Sequence, residues 1–363
     1  MNVFGYEIDF LPVGSSKSGD AIAIRYDTQN DCKVMVVDGG TKESGQELVK
    51  HIEKYYGTKR IDYVVNTHPD QDHASGLTEV LKNCEVSELW IHRPWRYIDE
   101  IIDYIENNPN ISIDGRVTKE SLKKRFENEY YKYAKELEDI ANERRIAIKE
   151  PYQGCKIGSF VVLSPNEEWH LFDLIPNSDK TQEITIESYK ADSFVNKVKR
   201  NIFNVMEKLG VETLKDDGVT SRENESSVIL YANFSNEGIL LTGDAGNEAL
   251  QKAYDFAPNI SQNLKFIQIP HHGSRRNVSP DILNKIIGKA GQKQENSITA
   301  FVSAGKDDTD HPRRVVTNAF IRRGCKVIET KGKTIRHHRD MPERNGWTAA
   351  TPIQFYEEVE SYE

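Results

Sequence analysis

The sequence predicts an α/β protein organised around β-sheets, and three observations lead there. Short apolar runs bounded by turn residues fill most of the first 65 positions, with the first helical pattern arriving late. From 227 onward, strand-like runs alternate with amphipathic helical ones. Polar residues directly follow apolar runs, as in Val37-Asp38-Gly39-Gly40 and Val65-Asn66-Thr67-His68. The C-terminal ends of strands are where α/β folds commonly build their sites.

The N-terminal runs read as strands over 6–13, 21–26 and 33–37, then a helix over 46–56, a strand over 61–65 and a strand-like run over 88–91. From 96 to 150 the pattern is helical and heavily charged, interrupted at 109–115, with a longer piece over 119–145. A second polar region, 173–217, contains a helix over 191–209. Both regions read as helical insertions, either solvated covers for a sheet edge or surfaces for substrate or a protein partner. Regular alternation then resumes. A hairpin of 227–231 and 238–242 encloses the polar turn 233–237, and helices over 247–255, 280–287 and 314–323 separate strands over 264–269, 298–303 and 325–329. No Gly/Ser/Pro-rich linker divides the halves, so residues 1–363 are expected as a single interrupted domain, although 363 residues is long for one.

Acidic residues outnumber basic ones by 57 to 48, giving a net charge of −9, and both signs are mixed along the chain. Global attraction to nucleic acid is therefore not expected, while a local basic cleft remains compatible. Cys32, Cys84, Cys155 and Cys325 are scattered without CxxC spacing, which argues against a disulfide framework and a thiolate zinc site. The first residues lack the basic and apolar regions of a leader, and no stretch approaches ~18 uninterrupted apolar residues. The expectation is a soluble, cytoplasmic protein without a membrane association.

The segment carrying most chemistry is Thr67-His68-Pro69-Asp70-Gln71-Asp72-His73. It offers four oxygen or nitrogen ligands directly after an apolar strand, where a tight loop can turn them onto one or two cations. Such a density of polar side chains is costly to bury without a metal. A capped helix start with incidental histidines is the bland alternative.

This segment resembles the HxHxDH signature of the metallo-β-lactamase superfamily, with Asp70 in place of the second histidine; as HxDxDH it resembles the nuclease-type domain of the ComEC competence proteins. Other pieces follow in the family's order. Gly14 through Asp20-Ala21 is similar to its opening element, Val37-Asp38-Gly39-Gly40 to its first motif, and Asn224-Glu225-Ser226-Ser227 to its Asn-x-x-Ser element. Thr242-Gly243-Asp244 resembles the fourth-motif aspartate, Pro270-His271-His272-Gly273-Ser274 the HHGS element, and Asp310-His311-Pro312 the later HP stretch. The resemblance covers about 3–94 and 222–335 and implies a four-layered αββα sandwich. It further implies that His68 and Asp70 face one metal, that Asp72 and His73 face a second, and that Asp244 bridges them. Asp38 and Asn224 become supporting groups.

One of His271 and His272 is expected to ligate the second metal and the other to act as a proton donor or supporting group, with His271 favoured as ligand. His311 is expected as a general acid or a late ligand. Asp72, His272 and His311 are thus the catalytic candidates. Two cations sharing a carboxylate lower a water's pKa toward neutrality and neutralise a developing oxyanion. The carboxylate exchange hardens the first site, so one or two ions of Mn²⁺ or Zn²⁺, with Mg²⁺ also admitted, are expected. His92 could reach the site rim. His170 reads as insertion surface, His337-His338 as a basic surface stretch, and His51 as structural.

Arg275 and Arg276 follow the HHGS element, and Lys306 precedes His311. Such groups suit phosphate recognition. The expected function is therefore metal-dependent phosphodiester hydrolysis, with DNA as substrate. Two alternatives stand beside it: hydrolysis of a lactone, thioester or cyclic nucleotide in a closed apolar site, and a non-catalytic interaction module holding a structural metal. Trp95, Tyr97, Tyr130, Tyr131 and Tyr133 either stack bases in an open groove or pack helices.

Overall fold

The computed structural model describes residues 5–29, 31–108, 120, 123–124, 126, 131–178, 204–207, 211–291 and 297–361. Sixteen strands are present among them: β1 (Tyr6–Phe10), β2 (Ala21–Asp27), β3 (Cys32–Gly39), β4 (Arg60–Val65), β5 (Glu85–Trp90), β6 (Ala147–Lys149), β7 (Lys156–Ile157) and β8 (Phe160–Ser164), then β9 (Asn204–Met206), β10 (Ile229–Phe234), β11 (Glu237–Leu241), β12 (Leu264–Gln268), β13 (Thr299–Val302), β14 (Lys326–Glu329), β15 (Ile335–Arg339) and β16 (Glu358–Glu360). One seven-stranded sheet runs β15-β1-β2-β3-β4-β5-β6 and a second runs β14-β13-β12-β11-β10-β8-β7.

Why these runs form sandwiched strands is visible in β3. Met35 and Val37 point into the core between the sheets, while Val34 and Val36 point outward beneath helices. Period-two alternation with both faces buried produces a continuous apolar run rather than a polar-apolar one. The inter-sheet core is completed by Ile8, Phe10, Ile24, Phe234, Phe266 and Phe301. Over the first sheet, Leu48, Leu77, Leu81 and Leu137 cover the outer face from the helices Lys42–His51, Leu77–Asn83 and Lys132–Arg144. Leu250, Ile282, Leu283, Val316 and Phe320 cover the second sheet from Asn247–Phe256, Pro280–Ile286 and Arg314–Arg322. The architecture is the four-layered αββα sandwich.

β3 through β6 are parallel, and so are β11 through β14. Each sheet therefore delivers several strand C-termini to one edge, the place where open α/β sheets leave a crevice.

Several boundaries differ from the sequence reading. The first helix begins at Lys42 rather than 46, because Thr41 caps it by accepting from the Ser44 N–H. The hairpin turn shrinks to Ser235 and Asn236, both at positive φ, because Phe234 is drawn into the inter-sheet core and extends β10. Within the expected helix over 191–209, residues 204–206 form a strand paired antiparallel with β16, and 191–203 and 208–209 lie outside the described residues. The interruption at 109–115 and most of 119–130 also lie outside them. The described end of that insertion is not a surface appendage: the helix Lys132–Arg144 packs Leu137 and Ala141 against the first sheet's outer layer, and β6 extends that sheet. Among the described residues, no helix is long and apolar enough to cross a membrane.

The stretch around His337-His338 is not a free basic tail but β15, paired with β1. Its arginines answer buried acids: Arg336 and Arg344 both pair with Glu7, and Arg344 also with Asp9. Such carboxylates are tolerated inside only when paired. His51 belongs to the same cluster, 3.0 Å from Asp9, which is the structural role expected for it.

The His337 ring lies among Tyr6, Phe266 and Phe301, while His338 stays exposed. Burial, with His338 beside it, pushes the His337 imidazole down to about 4. The unfolded chain takes up that proton near pH 6.5. Between those values the unfolded state binds more protons, so stability is full above about pH 6.5 and falls as pH drops toward 4, by at most ~1.4 kcal/mol per unit from this group. His337→Phe is expected to flatten that part of the acid limb in urea unfolding at pH 7 and 4.5. An identical acid slope in both proteins would refute it.

Candidate metal centre

The loop after β4 is shaped by one buried carboxylate. Asp38, at the end of β3, adopts a left-handed φ of 55°. Side chains rarely do so without strong local partners. Its partners are the Thr67 N–H at 2.8 Å, the Thr67 hydroxyl at 2.5 Å, the Asn66 amide at 3.2 Å and His73 Nδ1 at 2.8 Å. The Asn66 amide also donates to the His68 carbonyl, closing the turn. Asp70 then stands at the N-cap of the short helix Gln71–Ala74, which presents Asp72 and His73. The loop is seated by glycine contact, since a Cβ on Gly76 would lie 1.9 Å from the Gly39 carbonyl oxygen.

The second sheet supplies the facing half. Asp244 follows β11, and His271 and His272 follow β12, both at positive φ. Asp244 Oδ2 is the focus of the site. His73 Nε2 lies 3.5 Å from it, His68 Nε2 3.7 Å, His271 Nε2 3.7 Å and His272 Nε2 3.9 Å. These separations are too long for good hydrogen bonds. Two ligands each about 2.1 Å from a tetrahedral ion sit roughly 3.4 Å apart, which is closer to what is seen. His68 Nε2, His73 Nε2, both His272 ring nitrogens, Asp244 Oδ1 and Asp20 Oδ1 are buried without a hydrogen-bond partner. Buried polar atoms are otherwise almost always satisfied, so this convergence fits a divalent cation. The donor groupings are Asp38 with His68 and His73, Asp72 with His73 and His272, and Asp20 with Asp244 and His272.

Burial pushes the Asp244 carboxyl up, but His73, His271 and His272 together outweigh it and hold it well below the usual range. Burial lowers His73, yet Asp244 and Asp38 raise it well above an ordinary histidine. His68 and His272 are lowered, chiefly by burial. Burial raises Asp20 to about 7 against the pull of His73. The electrostatics are those of a site whose negative charge is arranged for cations.

The structure brings His68, Asp70, Asp72, His73, Asp244, His271 and His272 into one crevice. Asp70 Oδ2 is 3.8 Å from His68 Nε2, and Asp72 Oδ2 is 3.9 Å from His272 Nε2. Both members of the histidine pair face Asp244, but their surroundings differ. His272 falls in both second-half donor groups with neither nitrogen satisfied, whereas His271 Nδ1 is held by Asn224 at 3.0 Å and Asn277 at 2.9 Å, leaving Nε2 toward Asp244. Asn224 thus supports a ring.

His311 stands outside the donor groups, its ring centroid 6.1 Å from His271 and 6.4 Å from His272. Burial, followed by His272, lowers it to about 4. Arg275 donates to the Ser361 carbonyl, while Arg276 and Lys306 are exposed.

Other expectations are corrected by packing. His170 is buried, not on an insertion surface, because Trp169 and Leu174 anchor its helical turn in the core. His92 does reach the rim, lining one small pocket with His68 and His170; it stacks on Tyr152, burial lowers it to about 3, and its Nε2 faces the Pro151 carbonyl. Trp95 and Tyr131 are buried with Phe126 in a helix-packing cluster, and Tyr97 donates to Glu150, so these rings form no stacking platform. Tyr133 packs on the first sheet's helical layer, and Tyr130 lies outside the described residues. Sequence reasoning missed Asp20, although Gly19-Asp20-Ala21 had been matched to a motif, and it missed Asn277 and Gln268, which carry no signature of their own.

Residues 18–144 match the family model described as Metallo-beta-lactamase superfamily. That stretch is similar to the family over about a third of the chain. A 109-residue segment is 28% identical to ComE operon protein 3 of Bacillus subtilis (strain 168), covering 30% of this chain and 13% of that relative. The match thus spans about an eighth of that protein's length. Among solved structures, the metallo-beta-lactamase fold protein YhfI from Bacillus subtilis aligns over 92% of this chain and all of its own, at 8% identity and a TM-score of 0.41. Metallo-beta-lactamase SMB-1 bound to 2-mercaptoethanesulfonate aligns over 77% of this chain and 86% of its own, at 10% identity and a TM-score of 0.32. The matched stretch contains the loop that carries His68, Asp70, Asp72 and His73, which fall among the candidate His/Asp metal-binding groups or beside them.

Proposed function

We propose that this metallo-beta-lactamase domain is a metal-dependent phosphodiesterase whose substrate is DNA. The observation that carries the hydrolytic reading is the convergence of unsatisfied buried donors on Asp244 Oδ2. A divalent ion held there would lower the pKa of water and neutralise charge developing on a phosphoryl oxygen. Asp38 fixes the His73 proton on Nδ1 and leaves Nε2 facing Asp244. Asn277 Oδ1, 2.9 Å from His271 Nδ1, can hold that ring's proton in the same way, while the Asn224 amide lies 3.0 Å from the same nitrogen and fixes the ring's position. Both histidines of the pair face Asp244, His271 through Nε2 at 3.7 Å and His272 through Nε2 at 3.9 Å, and in this reading either can serve as the ligand.

Support for a phosphodiester comes from the acidic donor set, which favours hard ions, and from guanidinium groups beside the histidine turn. The similarity to ComE operon protein 3 over 109 residues accords with the HxDxDH resemblance to competence-type nuclease domains. Burial of the aromatics means that DNA would be held mainly through its phosphates.

The test pairs linear DNA with a small phosphodiester and a lactone, each in chelator and with added Mn²⁺ or Zn²⁺. Turnover is expected to vanish in chelator and return best with Mn²⁺. Replacing Arg275 and Arg276 by Ala is expected to weaken DNA binding and reduce its salt slope by about 1–2, with metal content unchanged. A lactone hydrolysed faster than any phosphodiester, together with unaltered DNA affinity in the double variant, would overturn the substrate assignment.

A further inference from the structure

Asp20 reaches the metal centre from a part of the chain remote from the histidine motifs. It immediately precedes β2, and its N–H donates to the Asp72 carbonyl at 3.2 Å, tying the loop before β2 to the loop after β4. The approach is close enough that a Cβ on Gly19 would lie 2.5 Å from the same carbonyl oxygen. The Asp20 side chain is buried, at 1% exposure. Gln268 Nε2 donates to Oδ2 at 2.9 Å, and His73 Nδ1 is 3.8 Å from it. Oδ1 has no hydrogen-bond partner.

A neutral Asn or Ser would accept the Gln268 hydrogen bond equally well. Placing a carboxylate there instead adds a buried oxygen without a well-formed hydrogen bond, with the Ser303 hydroxyl and His73 near enough to favour its charge, and such a group is costly to bury. Asp20 belongs to the donor group formed with Asp244 and His272, and His272 is shared with the group containing Asp72 and His73.

We propose that Asp20 is a metal-holding residue: with Asp72, Asp244 and His272 it frames a carboxylate-rich pocket for one divalent cation, Oδ1 being its ligand atom. Three carboxylates around one imidazole favour Mn²⁺ over Zn²⁺, because oxygen donors suit the harder ion. The inference rests on the metal reading of the site and adds to it a residue from the first loop and a preference between ions.

Asp20→Asn keeps the shape and an acceptor for Gln268 while removing the ligand charge. The metal-free protein and this variant are titrated calorimetrically with MnCl₂ and with ZnCl₂, and their melting temperatures are recorded with and without metal. Expected are an Mn²⁺ affinity at least tenfold weaker or one Mn²⁺ fewer per chain, a smaller loss for Zn²⁺, and a metal-free variant that melts no lower than the wild type. Unchanged Mn²⁺ binding together with a lower melting temperature would make Asp20 a purely structural acceptor and overturn the proposal. Wild-type protein that binds neither ion would overturn the metal reading itself. Should the variant not fold, wild-type crystals soaked in MnCl₂ decide the matter: an ion about 2 Å from Asp20 Oδ1 supports the assignment, and ions bound only elsewhere refute it.

Discussion

Asp244→Asn is expected to abolish hydrolysis, by on the order of 10³-fold or more, while the protein still folds. Its Oδ2 is the one atom approached by four imidazole nitrogens from both halves of the sandwich, at 3.5 to 3.9 Å. No other carboxylate among the described residues has that position. The amide preserves shape but removes the charge that balances a cation. It also places an N–H₂ where a ligand oxygen must stand in one of its two orientations. Loss of several kcal/mol of transition-state stabilisation corresponds to the stated factor. Calorimetric titration with Mn²⁺ and initial rates at saturating metal provide the check, with circular dichroism confirming the fold. Because the effect is on the ligand itself, raising the metal concentration is expected to restore little. A variant with wild-type turnover would remove Asp244 from the centre of the chemistry.

The sandwich was legible because its strands are short, apolar and buried on both faces, a pattern that β3 states in Val34 through Val37. The loop ligands were legible because His68, Asp70, Asp72 and His73 are adjacent in sequence, and local density needs no knowledge of the fold. Asp20 was not recognised as a ligand although its motif was, since its role depends on β2 lying beside the loop after β4, a long-range pairing through β3. His170 was misplaced for the related reason that a polar neighbourhood in sequence says little about burial once Trp169 and Leu174 anchor the turn. The histidine pair was ambiguous because adjacent residues on a kinked turn at positive φ do not follow helix or strand geometry. Only the asparagines holding His271 separate the two.

Asp38→Asn tests how far a residue that need not be a ligand controls the site. Asp38 Oδ1 accepts from the Thr67 N–H and the Asn66 amide, and Oδ2 accepts from the Thr67 hydroxyl and His73 Nδ1. An asparagine cannot reproduce both sets. With its oxygen toward the Thr67 N–H, its NH₂ faces His73 Nδ1, which must then accept; the ring proton moves to Nε2 and that nitrogen can no longer bind a cation. With the amide reversed, its NH₂ confronts two donors and the turn at 66–68 loses its anchor. Either arrangement is expected to weaken metal affinity by about 10–100-fold. The signature separating this from Asp244→Asn is partial rescue, because all ligand side chains remain in place and excess Mn²⁺ can select the productive ring state. Turnover measured across Mn²⁺ concentrations should therefore shift its half-saturation upward by that factor and approach the wild-type plateau. A curve superimposable on the wild type would mean that Asp38 does not set the His73 tautomer, and a flat curve at zero would mean that it is itself a ligand.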